Sequence, residues 1–572
     1  MSQMILPGVY ITVHPEGLIA PGQITIGNLG VVGTAAKGPV GTPVLLGSYQ
    51  DAVQAFYNYD PWLDPDTSLP NPDALTLTRA LEQAFQFGAT TVYGVRVSKT
   101  DASGQSTAQS ASITLKSAGG PCVTLTANQP GTWGNHLSVK VETPQGAPQP
   151  FIDSENVPLA GPGAFKLQRK INLQSARNRV QLANQGVITN LTIVSKAPVP
   201  GNNQVQIDAN GQLTFAAGEQ PKPPANLVAS YTAAVAAHQV TINLDQASEI
   251  YTIADGEDLS YQVSNQSAWV TASTTVANQF QPPSDILQAQ VFQGGNDGNV
   301  GANYQAGLDA LLTADAQIIV AAGQDQSFGP ALERHCADAS TDTIKSERIA
   351  IVGPGLIDSG DPDNPRQSKV DQFFDNLIGH NLLSDRLIFV APGMRAVDTP
   401  TGNEVTLPGA YAAAAVAGLI STFDPEVSPT NKSLAVDELE FHFDAAHLAQ
   451  MVQNRILPLE ARSGFRIVKG ITTDDSAFRQ VTTRRIVDYA KLGVRSAAEP
   501  YIGLLNDDRV RAALSATVNS FLAEMVNDEM LESYDLSVTA TRQEEISGIA
   551  RITMTLQPVF SIDFIVVDMF LG

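Results

Sequence analysis

The chain has 572 residues, enough for about three or four domains of ordinary size. Hydrophobic residues make up 43%, a usual globular share, but charged residues only 16%, below the common fraction of about a quarter; the surface must lean on Gln, Asn, Ser and Thr, which lowers charge repulsion between copies. With 34 basic against 57 acidic residues the net charge is −23, a balance that repels phosphate backbones and argues against a nucleic-acid partner.

The chain opens without a basic n-region or a long apolar run, so no signal peptide is expected and folding in the cytosol is. Residues 9–13 are β-prone after Pro7-Gly8, and a second β-prone run, 24–32, follows Pro21-Gly22. Neither has a hairpin partner close by, so each must pair with something distant or with another chain. A helix is expected from Asn71 as N-cap and Pro72 at its first position, with Leu77, Leu81, Ala84 and Phe85 on one face and Gly88 closing it. A strand follows at 91–97.

From 101 to 289 helical periodicity fades and Gln, Asn, Thr, Pro and Gly rise. Residues 205–215 alternate around Asn210-Gly211, a strong hairpin signal. This stretch is expected to be an inserted, β-rich outer region. From 290 to 421 apolar strands (316–321, 348–352, 386–390) alternate with helices (303–312, 368–378, 410–420), which argues for a parallel sheet covered on both faces. The strands end alike, in Val320-Ala321-Ala322-Gly323, Val352-Gly353-Pro354-Gly355 and Val390-Ala391-Pro392-Gly393. The apolar helix at 410–420 is too short to span a bilayer, which needs about 20 residues. The remainder reads as α+β: helices near 444–454, 480–492 and 507–530, a strand at 465–468, and three closing strands at 536–541, 549–556 and 562–570. The last is long, apolar and terminal, an aggregation hazard unless donated to a neighbour's sheet.

These stretches resemble the sheath proteins of contractile phage tails and related injection systems. The resemblance rests on Pro7-Gly8-Val9-Tyr10-Ile11; on Gly30-Val31-Val32-Gly33 leading to Lys37-Gly38-Pro39; on Ala84-Phe85-Gln86-Phe87-Gly88 followed by Val92-Tyr93-Gly94-Val95-Arg96-Val97; on Pro130-Gly131-Thr132-Trp133-Gly134-Asn135; and on Thr483-Arg484-Arg485-Ile486-Val487-Asp488-Tyr489 followed by Asn519-Ser520-Phe521-Leu522-Ala523-Glu524-Met525. It covers 1–135 and 290–572, whereas most of 140–289 resembles nothing familiar. It implies a subtilisin-like parallel α/β core without a triad, a β-rich insertion, and an α+β C-terminal domain with exchanged terminal strands. The expected boundaries are 1–20 (N-terminal arm), 21–100 and 290–421 (α/β domain), 101–289 (insertion), 422–557 (tube-facing domain) and 558–572 (C-terminal arm). The implied function is structural: helical polymerisation around a tail tube and contraction that drives the tube through a bacterial envelope. The implied partners are copies of the chain, the tube, the baseplate and a tail terminator, without nucleic acid or membrane insertion, in a virion assembled in the host cytoplasm. Inter-subunit contacts are expected from Val9, Tyr10, Ile11, Thr12 and Val13 and from Ile562, Phe564, Val566 and Phe570.

No enzyme, cofactor, metal or catalytic residue is expected. Ile357-Asp358-Ser359-Gly360 is similar to the Asp motif of subtilisins, but His380 precedes Asn381 and no Gly-Thr-Ser occurs, so a triad cannot be assembled. His442, Asp444 and His447 fit no usual zinc spacing and read as a helix entry capped by Asp444. Residues 208–219 begin like a calcium loop and break its pattern, leaving the hairpin turn. Residues 294–301 are glycine-rich but lack the Lys-Ser/Thr of a phosphate loop and read as a connector. Cys122 and Cys336 form no motif and read as unpaired thiols. Arg484, Arg485, Lys491 and Arg495 are basic in an acidic chain. Arg484, Lys491 and Arg495 share a helix face, which makes this group a candidate contact for an acidic tube. The alternative functions are a β-rich adhesin, which would form small oligomers and bind a glycan or receptor, and a hydrolase on the α/β core.

Overall fold

The computed structural model describes residues 26–161, 164–357 and 366–570. The chain divides into two units: one holds the described residues up to 35, residues 39–106 and everything from 299 onward, and the other holds 36–38 and 107–298. Most of the polar stretch 101–289 falls in the second of these units. The Asp358 stretch and residues 9–13 lie outside the described residues.

The first unit is built on an eight-stranded sheet in the order Pro43–Leu46, Val92–Arg96, Leu29–Gly33, Ile318–Ala321, Ile349–Val352, Leu387–Ala391, Leu457–Ala461, Phe465–Ile467. Its inner six strands run parallel and its two edge strands antiparallel. The interior sequences, LGVVG, IIVA, IAIV and LIFVA, are apolar without alternation because both of their faces are buried. One face carries the helix Gly409–Ser421, whose Ala412, Ala413, Ala414, Ala415 and Ala417 are wholly buried, and the helix Leu77–Gln86. The other face is covered from Tyr304–Leu311, Gly329–Ala339, Arg366–Ile378 and Ala445–Gln453.

Small residues set the spacing on the first face. A Cβ on Gly353 would stand 2.0 Å from the Gly409 carbonyl oxygen, and one on Gly418 would stand 2.3 Å from that of Ala84. The glycine ending the strand Ile349–Val352 is therefore where the Gly409 helix meets the sheet backbone to backbone.

Two expectations change. The helix expected from Asn71 starts only at Leu77, with Thr76 as N-cap. Asn71 instead accepts the Asp73 N–H in a turn, and the Thr76 and Leu77 N–H groups donate to the Thr34 carbonyl at the end of the first parallel strand. Residues 457–467, assigned from sequence to the C-terminal domain, extend the large sheet, because Val390 and Ala391 have a free parallel edge for Leu457 and Pro458.

The second unit contains a six-stranded, a four-stranded and a three-stranded sheet and the helix Gly256–Gln266. The hairpin read around Asn210-Gly211 is present, Gln204–Ile207 pairing antiparallel with Leu213–Phe215. The Asp208 carboxylate accepts the N–H groups of Asn210 and Gln212, which is a turn and not a calcium loop. Residues 130–135 close the unit: Trp133 is fully buried, and Asp297 accepts the Thr132 N–H at 2.7 Å and its hydroxyl at 2.7 Å. The glycine-rich run leaves this unit at Gly298 and enters the other at Asn299. Cys122 and Cys336 are buried free thiols, and burial pushes Cys336 up to about 12.

Beside Cys336, His335 lies buried with its Nε2 2.9 Å from Nη1 of Arg348, whose other amino group donates to the Ala314 carbonyl. Burial, then the Arg348 charge, lowers the imidazole to about 4. Between its ordinary value and 4 the unfolded chain takes a proton that the folded chain refuses, so stability falls as pH drops through that window, by up to about 3 kcal/mol. Urea unfolding across pH 7 to 4 should show a shallower acid loss in His335→Gln, which keeps an acceptor for Arg348, than in the parent; parallel curves would refute it.

Candidate assembly surface

The C-terminal part of the first unit starts with the long helices Val481–Ala498 and Asp508–Asn527, which cross where Gly493 lets the Phe521 ring in; a Cβ there would stand 1.9 Å from the ring. Leu514, Val518 and Leu522 bury against a hairpin made of Leu531–Thr539 and Arg551–Pro558. Both strands alternate. Tyr534, Leu536, Val538, Ile552, Met554 and Leu556 pack toward the helices, while Asp535, Ser537, Thr553 and Thr555 lie on the opposite face, as the two-residue period requires.

Among the described residues this hairpin stays two-stranded. Each outer edge therefore keeps a row of unpaired N–H and C=O groups, the arrangement that accepts an added strand. Isolated two-stranded sheets are marginal; a third strand or a packed helix is needed for stability.

The segment after the hairpin departs from expectation. The strand predicted for 562–570 does not form: these residues are in no strand or helix. Its start is tied down. The Val559 N–H donates to the Met530 carbonyl, and Asp563 pairs with Lys469 at 3.1 Å, whose ammonium also lies 4.9 Å from the centre of the Phe564 ring. Beyond that point Ile562, Phe564, Val566 and Phe570 are 79%, 79%, 85% and 92% exposed. The cause is geometric: the sequence has strand character, but among the described residues no strand pairs with it. Burying four such side chains would release on the order of 6–10 kcal/mol. The loop after the first long helix adds exposed Ile502, Leu504 and Leu505 around a cavity of about 410 Å³ beside Ile549.

The basic group expected to contact a tube is engaged by acidic and carbonyl groups of its own chain. Arg386 donates to both oxygens of Asp488, at 2.9 and 3.0 Å, and to the Arg348 carbonyl. Arg484 donates to Asp488 at 2.6 Å and to Asp385 at 2.8 Å. Arg485 is buried, which lowers it to about 10, and it donates to the Phe423 and Asp424 carbonyls. Lys491 and Arg495 converge on Glu347 at 2.7 and 2.5 Å. Burial acts to raise Glu347, but hydrogen bonds from these two cations outweigh it and hold the carboxyl below its usual value. Spacing on a helix shows a shared face, not what covers that face.

The residues weighed for chemistry are likewise occupied. His380 uses Nδ1 to accept the Leu382 N–H and Nε2 toward the Asn454 carbonyl. His442 pairs with Glu438, and Asp444 caps its helix and meets His447. Sequence reasoning missed Glu440, at the carboxyl ends of the parallel strands, where burial raises it to about 7 and it accepts the Ile357 and Gly393 N–H groups. A lone glutamate carries no motif that could have marked it. Among the described residues no group of three His, Cys, Asp or Glu side chains could hold a metal.

The fold is similar to the sheath tail protein of Desulfitobacterium hafniense, at 14% identity over 97% of each chain with a TM-score of 0.57. It is also similar to the sheath tail protein of Listeria innocua, at 12% identity over 95% of this chain and 97% of that one with a TM-score of 0.53. Residues 473–572, the stretch of the long helices, the hairpin and the exposed tail, match the family model of the phage tail sheath C-terminal domain. The resemblance to contractile-tail sheath proteins therefore holds in this domain and in the fold. No curated protein matches the sequence significantly.

The Asp488 cluster supplies a test of how this domain is fastened. Asp488→Ala leaves Arg386 and Arg484 buried without their shared acceptor and should cost about 3–5 kcal/mol. Urea unfolding measures it, and a loss below ~1 kcal/mol would mean that the guanidinium groups find other partners.

Proposed function

We propose that this chain is the sheath subunit of a contractile tail, polymerising helically around a tail tube and contracting to drive the tube through a bacterial envelope. The observation that carries this reading is the two-edged hairpin followed by an exposed apolar tail, both inside the stretch that matches the sheath C-terminal domain. A chain with an unfilled sheet and an unused strand meets both needs by exchange: Ile562, Phe564 and Val566 of one copy line one face of a strand added to the hairpin of the next. Residues 9–13 are the second candidate donor, for the hairpin's other edge. Strands donated this way are covalent links, so subunits stay connected while their domains rotate between an extended and a contracted packing.

The free energy for contraction is then stored in assembly, and no cofactor or turnover is required of the chain. Its partners in this reading are its own copies, the tube, the baseplate and a terminator, in a virion assembled in host cytoplasm. Among the described residues no helix is long and apolar enough to cross a membrane, in keeping with a particle that crosses the envelope by its tube. The low charged fraction suits close packing of like copies.

The test is negative-stain electron microscopy and light scattering on the full chain beside a version ending at residue 558. The full chain should form hollow helical tubes. The truncation, with an unchanged circular dichroism spectrum, should give short polymers or none. Equal tubes from both would remove the C-terminal strand from the mechanism, and a stable small oligomer from the full chain would overturn the sheath reading.

A further inference from the structure

The second unit, which the sheath reading leaves without a task, contains a polar cavity of about 680 Å³, within the range of small-molecule sites. One wall is the helix Gly256–Gln266. Its Leu259 and Val263 face the core. Its opposite face brings Asp258, Gln262 and Gln266, four residues apart, together with Tyr261 and Asn265 to the cavity. The facing wall is the extended run from Pro148 to Asp153, with Arg177 beside it.

The helix is held rigidly. Arg169 grips both oxygens of Asp255, at 2.6 and 2.7 Å, and Asp255 caps the helix by accepting the Asp258 N–H. Glu155 neutralises the same guanidinium and accepts the Tyr231 hydroxyl. The floor is also set: Asp258 is 4% exposed and is bonded by the Ala254 N–H and the Gln262 amide. A wall fixed by buried ion pairs is the support that a binding site needs.

The lining has the composition that recognises a polyol. Asp153 takes its three partners, Ser154, Arg179 and Ser230, on one oxygen, Oδ1, which leaves Oδ2 for a ligand hydroxyl. The amides of Gln266 and Asn265 offer both donors and acceptors. The exposed Tyr261 ring, and the Arg177 guanidinium lying 3.8 Å over the centre of the Phe151 ring, offer flat surfaces for a sugar ring. Asp153 and Asp258 are balanced by Arg177 and by Arg179, which pairs with Asp153, so the lining carries no net charge to hold a phosphorylated or sialylated ligand. We propose that this cavity binds a neutral, hydroxyl-rich glycan.

The experiment is saturation-transfer NMR on the full chain with maltose, lactose, mannotriose and N,N′-diacetylchitobiose, and with sialyllactose and glucose 1-phosphate as anionic probes. At least one neutral saccharide should bind with a Kd of ~1 mM or tighter. Tyr261→Ala and Gln266→Ala, both at exposed positions, should each weaken it by about five-fold or more, whereas Val276→Ser, exposed and away from the lining, should not. Three results would overturn the assignment: no neutral saccharide bound at ~10 mM, binding indifferent to Tyr261→Ala, or binding of the anionic probes alone. Tube formation is scored on the same variants, so a failure of this site and a failure of the sheath reading are told apart.

Discussion

The carboxylate of Asp488 receives two guanidinium groups where little water reaches it. Arg386, at the start of a parallel strand, and Arg484, one turn back on the same helix, both end there. Arg386 also spans to the Arg348 carbonyl at the root of the neighbouring strand. The helix Val481–Ala498 is thereby fastened across the amino ends of the parallel strands, and Lys491 and Arg495 repeat the attachment at Glu347. Everything C-terminal to it, the second long helix, the hairpin and the tail, hangs from that helix. Buried ion pairs of this kind add little net stability but penalise every misplacement.

The chain thus combines a sealed half and an unsealed half. In the parallel sheet, apolar strands are covered on both faces and glycines allow backbone-to-backbone approach. In the C-terminal hairpin, among the described residues, only one face is covered and neither edge pairs with a further strand. In the proposed sheath role this division would supply bodies stiff enough to move as units and joints made of backbone pairing. The second unit follows a different logic, with polar sheets, a buried Arg169 cluster and a concave polar wall.

The parallel strands were legible because burial on both faces leaves a continuous apolar run, and the Asn210-Gly211 hairpin because its turn demands particular residues. The Asn71 helix start was misread because the Thr34 carbonyl, from a remote strand, captures the Thr76 and Leu77 N–H groups, which a helix begun at Pro72 would have turned to the Pro72 and Asp73 carbonyls. The strand pairing of residues 457–467 with the large sheet carried no local signal, since Leu457 gains its partner from a strand sixty-odd residues upstream. The basic face of the Val481 helix was legible as a pattern and misleading as a surface, because its acidic partners, Asp385 and Glu347, come from remote loops.

By itself the sequence determined the strand and helix types, the insertion's polarity, the unpaired thiols and the strand character of the C-terminal tail, because each depends on local composition and period. Tertiary structure alone decided that the basic residues are engaged by acidic groups of the same chain, that among the described residues the hairpin stays two-stranded and the tail pairs with no strand, and that the helix Gly256–Gln266 walls a cavity. Each of those depends on which distant groups arrive at one place, and contact at long range leaves no period in a sequence.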